Sequence, residues 1–106
     1  VLVTCIMPTT PQRASLIGLA VECFLRQTFL DSELLVVEDG DGGGAPCITV
    51  HPRIRYVRLD GPKRSTGRKR NACCELALGS IICTWDDDDW SAPGRIAHQV
   101  GMMQQS

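Results

Sequence analysis

No stretch of this 106-residue sequence is apolar for long enough to span a bilayer, and no signal-peptide pattern opens it. A helical membrane protein is therefore not expected, and any membrane association would come through segments outside this sequence. Ligand spacing for zinc is also missing. There are two histidines, and none of the six cysteines stands in a C-x-x-C pair; Cys73 and Cys74 are adjacent. Cys5, Cys23 and Cys83 lie inside apolar runs, where a cysteine acts as a small hydrophobe. Reduced thiols and a cytoplasmic setting are the expectation. A net charge of -1 gives no global pull toward nucleic acid or membrane. Aromatic residues make up 5% of the chain and do not interleave with the basic ones, so stacking on nucleobases of single strands has no platform. Internal repeats are absent as well. What remains is one modest soluble domain, or part of one, with a composition of 43% hydrophobic and 22% charged residues.

Charge is present in two concentrations. Trp85-Asp86-Asp87-Asp88-Asp89-Trp90 places four carboxylates directly after the apolar run Ile81-Ile82-Cys83-Thr84. Two like charges about 4 Å apart cost ~1 kcal/mol in water and ~4 kcal/mol near a protein surface. Such a cluster needs full solvation or a cation. Hard divalent ions prefer carboxylate oxygen, and Mg²⁺ or Mn²⁺ held by one or two carboxylates plus substrate phosphates is the sharper reading. A solvated acidic turn is the plainer one. The second concentration is basic: eight of the eleven Lys and Arg residues fall between Arg53 and Arg70, with Asp60 as the one acid among them.

Taken in order, Val1 to Met7 reads as a strand buried on both faces, ended by Pro8-Thr9-Thr10-Pro11. A helix is expected from about Pro11 to Gln27, with Leu16, Leu19, Ala20, Cys23, Phe24 and Gln27 at helical spacing. Arg13 in its first turn opposes the helix dipole, which an anionic ligand would relieve. Glu33 to Glu38 is the second strand, and Asp39 stands at its carboxyl end before Gly40-Asp41-Gly42-Gly43-Gly44. Gly40, Gly42 and Ala45 mimic a dinucleotide fingerprint, but Pro46 follows and no helix begins. Asp39 and Asp41 mimic an EF-hand opening, but the fifth and twelfth positions are Gly43 and Val50. Ile54 to Leu59 alternates like a half-exposed edge strand. The Gly61–Asn71 stretch is no Walker loop, since Thr66 takes the place of the second glycine. It enters a helix expected from Arg68 to about Leu78, ended by Gly79, whose basic start suits a phosphate. Ser80 to Trp85 is the fourth strand. Ser91 can cap a last helix, with Pro93 in its first turn and Ile96, Val100 and Met103 on one face.

Strands alternating with helices argue a parallel sheet with right-handed crossovers. In such sheets ligands bind beyond the carboxyl ends of the strands. Pro8, Thr9, Asp39 and the Asp run all fall there, and acids beside a basic cradle suit a metal-bridged diphosphate.

The chain resembles the amino-terminal, donor-binding half of a GT-A fold glycosyltransferase of family 2. The matching pieces are Met7-Pro8-Thr9 with Arg13, Phe24–Phe29, Glu33–Gly40, Gly67–Asn71, Gly79–Ile82, and Trp85–Trp90 with Pro93 and Arg95. The resemblance implies a three-layer α/β/α sandwich with a mainly parallel sheet in strand order 3-2-1-4. Residues 1–106 would be a single donor-binding part of a longer domain. Pro8, Thr9 and Arg13 would line the nucleotide pocket, Glu38 and Asp39 would follow, and Asp39 would accept the N3–H of uracil. Lys69 and Arg70 would approach the diphosphate, with Asp87 nearby. Asp86 and Asp88 would be the DxD pair holding Mg²⁺ or Mn²⁺. The implied reaction is inverting transfer of a hexosyl group from a UDP-sugar to an acceptor hydroxyl. Glu38 replaces the family's usual Asp, Arg68 adds bulk before Lys69, and the acceptor half with its catalytic carboxylate is not in the sequence. A nucleotidyltransferase would want a Gly-rich basic loop after the first strand, which Pro8-Thr9-Thr10-Pro11 is not. An inactive nucleotide-sugar-binding remnant is the remaining alternative.

Overall fold

A computed structural model describes residues 2–10, 17–40, 51–59, 65–87 and 90–104. Its elements run β1 (Val3–Thr9), α1 (Ile17–Leu25), β2 (Ser32–Glu38), β3 (Ile54–Arg58), α2 (Thr66–Leu76), β4 (Ile81–Thr84) and α3 (Arg95–Gln104). The four strands form one sheet in the order β3-β2-β1-β4, and every pairing is parallel. The expected order is therefore observed. β1 and β2, the central strands, are the most buried, while β3 at one edge is half-buried throughout. A strand flanked on both sides and covered on both faces has no solvent side to spend polar residues on.

Helices cover both faces, which completes three layers. One face packs Cys5, Met7, Leu34 and Val36 against Ile17, Ala20, Val21 and Phe24 of α1 and Ile96 and Val100 of α3. The other packs Ile6, Leu35 and Val37 against Cys73 of α2. This is the period-2 split of each strand's side chains between two cores.

Several boundaries differ from expectation, each for a visible reason. Pro8 does not end β1; the strand continues to Thr9 in register with Glu38. The Thr9 carbonyl accepts from Asp39 N–H on the β2 side, so Pro8 faces the β4 side, where the ladder stops at Ile6 opposite Thr84. Its missing N–H costs no ladder bond. α1 buries Ala20, Cys23 and Phe24, with Gln27 just beyond its end, as expected; Ile17 and Val21 join that stripe, whereas Leu19 is exposed. Leu16 and the expected helix start lie outside the described residues. α2 begins earlier than Arg68, because the Ser65 hydroxyl accepts from Arg68 N–H and caps it. It also stops before Leu78. Leu78 N–H donates to Glu33 Oε2 and Gly79 N–H to Thr4 Oγ1, which pulls the chain out of the helix at Ala77. A Cβ on Gly79 would sit 2.7 Å from both Leu2 O and Thr4 N, so only glycine lets the chain pass this close to β1. In α3, Ile96 and Val100 reach the core but Met103 is exposed.

The five described cysteines are free thiols. Cys5 and Cys83 face each other across β1 and β4. The Cys5 thiol hydrogen-bonds to the Cys83 sulfur, which pushes Cys5 up and brings Cys83 down to about 7, the latter against its own burial. No helix among the described residues is long and apolar enough to cross a membrane.

Candidate functional site

Parallel strands deliver their carboxyl ends to one rim, and there the fold gathers side chains far apart in sequence. β1 ends on Thr9, β2 on Glu38 with Asp39 next, and β4 is followed by Trp85, Asp86 and Asp87. The Thr9 hydroxyl donates to Asp87 Oδ2 at 2.8 Å. The Thr9 carbonyl accepts from Lys69 Nζ at 3.2 Å, and Lys69 Nζ lies 2.6 Å from Asp39 Oδ1. Thr9, Asp39, Lys69 and Asp87 are all buried. Charges this deep persist only when paired, and here ammonium and carboxylate meet directly.

Glu38 and Asp39 are neighbours that leave β2 in different directions. Asp39 meets α2 through Lys69, whereas Glu38 Oε1 accepts from Tyr56 Oη at 2.8 Å and Arg58 Nη1 at 2.9 Å on β3. Burial, reinforced by the hydrogen bond to Glu38 and its negative charge, pushes the Tyr56 phenol up to about 12. Arg58 also donates to the Gly40 carbonyl. Gly40 has φ 104°, a left-handed conformation that glycine adopts without strain. Arg58 thus ties the chain just after Asp39 to the edge strand. Glu38 Oε2 is buried and has no hydrogen-bond partner among the described residues.

The acidic loop is buckled from behind. Trp85 is fully buried, donates from Nε1 to the Ala20 carbonyl at 2.9 Å and meets Phe24 edge-on. Arg95 stacks 4.7 Å over the Trp85 ring, donates to the Thr84 carbonyl at 2.6 Å and to Ser91 Oγ at 2.9 Å. Gln27 donates to the Ala92 carbonyl at 2.7 Å and accepts from Ile96 N–H at 3.0 Å, so it caps α3 from another element. The chain on either side of the Asp run is therefore fixed by Trp85, Arg95 and Gln27.

Of the residues singled out in the sequence, Thr9, Asp39, Lys69 and Asp87 come together directly. Pro8 adjoins Thr9 on β1, and Glu38 adjoins Asp39 but faces Tyr56 and Arg58. Arg70 is exposed on α2 and Asp86 is exposed just past β4. Arg13 and Asp88 lie outside the described residues. Among the described residues no three His, Cys, Asp or Glu side chains converge as metal ligands. A groove of about 390 Å³ between β4 and α3 is lined by Ile82, Cys83, Ile96 and Met102 among others, and contains none of the candidate site residues. Sequence reasoning missed the supporting roles of Tyr56, Arg58, Gln27 and Arg95. A residue of high polarity inside an otherwise apolar stripe, as Gln27 is, was the available signal.

The glycosyl transferase family 2 model matches residues 4–106, nearly the whole chain. The chain belongs to glycosyltransferase family 2. Among curated proteins it is 31% identical over 77 residues to the uncharacterized glycosyltransferase YwdF of Bacillus subtilis (strain 168), a match spanning 72% of this chain and 29% of that protein. Among solved structures it superimposes on S. aureus TarS with a TM-score of 0.77 at 18% identity, covering 99% of this chain and 20% of that one. The same TM-score and identity hold for TarS 1-349 in complex with UDP, 32% of which is covered. This family 2 chain thus has the GT-A architecture and spans about a third or less of the length of these relatives.

Proposed function

We propose that this chain is the donor-binding part of a metal-dependent, inverting glycosyltransferase whose donor is a UDP-sugar. The observation that carries the reading is the meeting of Thr9, Asp39, Lys69 and Asp87 at the carboxyl rim of a parallel sheet, where such sheets bind ligands. Family membership supports glycosyl transfer as the reaction class, and a UDP complex of a protein with the same fold supports the nucleotide.

In this reading Pro8 and Thr9 floor the nucleotide pocket, and Asp39 accepts the N3–H of the uracil ring. Arg13 lines the same pocket, and Arg70, exposed on α2, approaches the diphosphate. Asp87, fixed by the Thr9 hydroxyl, orients the acidic loop toward the nucleotide. The donor set fits Mg²⁺ or Mn²⁺: Asp86 offers exposed carboxylate oxygen at the strand end, which hard cations choose. Asp86 and Asp88 would hold the ion. When bound, it would neutralise charge developing on the departing diphosphate. The acceptor site and the carboxylate base that deprotonates the acceptor hydroxyl are not among these residues in this reading, so residues 1–106 alone are expected to bind donor and transfer little.

Calorimetric titration of the chain with UDP, with and without Mn²⁺, tests the reading. Binding is expected to tighten at least about tenfold with the metal, equivalent to ~1.4 kcal/mol. Identical heats in both titrations would refute the metal-dependent donor site.

A further inference from the structure

Lys69 stands between two arginines on α2, yet it behaves differently from both. Arg68 and Arg70 are exposed, whereas Lys69 is 5% exposed and turned inward onto the sheet. Its ammonium touches the Asp39 carboxylate at 2.6 Å and the Thr9 carbonyl at 3.2 Å. We propose that Lys69 is a positioning residue for Asp39, and through Asp39 decides which pyrimidine the site accepts. The assignment rests on the nucleotide-sugar reading, in which Asp39 meets the base.

Asp39 is fully buried. A buried carboxylate without a cation beside it takes up a proton, because desolvation penalises its charged form. Lys69 supplies that cation, so Asp39 stays an anion. An ionised carboxylate accepts hydrogen bonds and cannot donate, and its several lone pairs leave acceptor capacity after one ion pair. An acceptor suits uracil, whose N3 carries hydrogen, and repels cytosine, whose N3 carries a lone pair. A protonated Asp39 would do the reverse: its hydroxyl would donate to cytosine N3. The charge on Lys69 is thereby converted into base choice. The Thr9 carbonyl holds the ammonium from the other side, so the carboxylate is oriented as well as ionised.

The test is a ligand ladder of uridine, cytidine and UDP titrated into the chain and its Lys69→Met variant. If Lys69 acts through Asp39, the variant loses the same factor, about tenfold, for uridine and for UDP. Its preference for uridine over cytidine falls by a similar factor. In an Asp39→Asn background, Lys69→Met should cost uridine nothing further, since the two act as a unit. Loss confined to UDP, with uridine and the pyrimidine preference unchanged, would assign Lys69 to the diphosphate and overturn the proposal. Should Lys69→Met fail to fold, Lys69→Arg keeps the charge but displaces it. It should then reduce uridine and UDP affinity equally, and a UDP-only effect again overturns the idea. A wild-type chain that binds neither uridine nor UDP would instead bring down the donor-site reading itself.

Discussion

The two ends of β2 each bury a glutamate, and the two are treated in opposite ways. At the amino end Glu33 accepts from the Thr4 hydroxyl at 2.6 Å, from Arg55 Nε at 2.8 Å and Nη2 at 3.3 Å, and from Leu78 N–H at 3.0 Å. Both oxygens are engaged, and Arg55 continues to the Leu76 carbonyl, closing the end of α2. Burial alone would push Glu33 up, but the hydrogen bonds from Arg55, Thr4 and Leu78 outweigh it and hold the carboxyl below its usual range. At the carboxyl end Glu38 is buried more deeply, and one of its oxygens has no hydrogen-bond partner among the described residues. The next residue, Asp39, anchors the candidate site. One end of the strand fastens the fold; the other keeps polar capacity in reserve where a ligand is proposed to bind. Sites that must meet a ligand commonly carry such unspent or strained groups, and the rest of the structure compensates.

The largest effect expected from breaking this contrast is at the fastening end. In Glu33→Gln, whichever oxygen becomes an amide NH₂ will face donors, so a loss of ~3 kcal/mol is expected, in line with leaving hydrogen-bonding groups at a charged site unsatisfied. Urea denaturation would measure it. Glu38→Gln should cost only ~1 kcal/mol despite the deeper burial, because the NH₂ can occupy the oxygen position that no donor faces. Equal losses in the two variants would erase the distinction. The smaller pH effect follows the same logic. Because the folded-state carboxyl of Glu33 is held low, its contribution is present above the unfolded value of 4.5 and is lost as pH falls through the depressed folded value. Acid titration of stability should show this loss in the wild type and not in Glu33→Gln. Smallest of all in stability should be Asp86→Asn, an exposed residue whose change should shift the urea midpoint hardly at all. The same variant should abolish any Mn²⁺ dependence of UDP binding, which would separate site from scaffold.

Much of the scaffold was legible because local pattern and global packing agree. The apolar run of β1, the Leu34–Val37 run of β2 and the alternation Ile54–Leu59 each carried their burial in their composition. Pro8 misled because proline's cost depends on which neighbour its nitrogen faces, a fact of the sheet rather than of the strand. The end of α2 misled for a related reason: it is set by Glu33 and Thr4, whose partners Leu78 and Gly79 lie 45 and 75 residues away along the chain. At the candidate site, the residue types and their strand-end positions were readable, and the resemblance to family 2 ordered them. Their mutual contacts were not. Nothing in the spacing pairs Lys69 with Asp39 or Thr9 with Asp87, across separations of 60 and 78 residues for the contacts that Thr9 makes.

The sequence alone determined the alternation of strands and helices, the parallel class of the sheet and the presence of carboxylates at strand ends, because each is written in short-range periodicity. The tertiary structure decided which charges meet. A buried charge is settled by what stands within a few ångströms of it, and only the folded sheet brings a lysine from a helix onto the carboxylate at the end of β2.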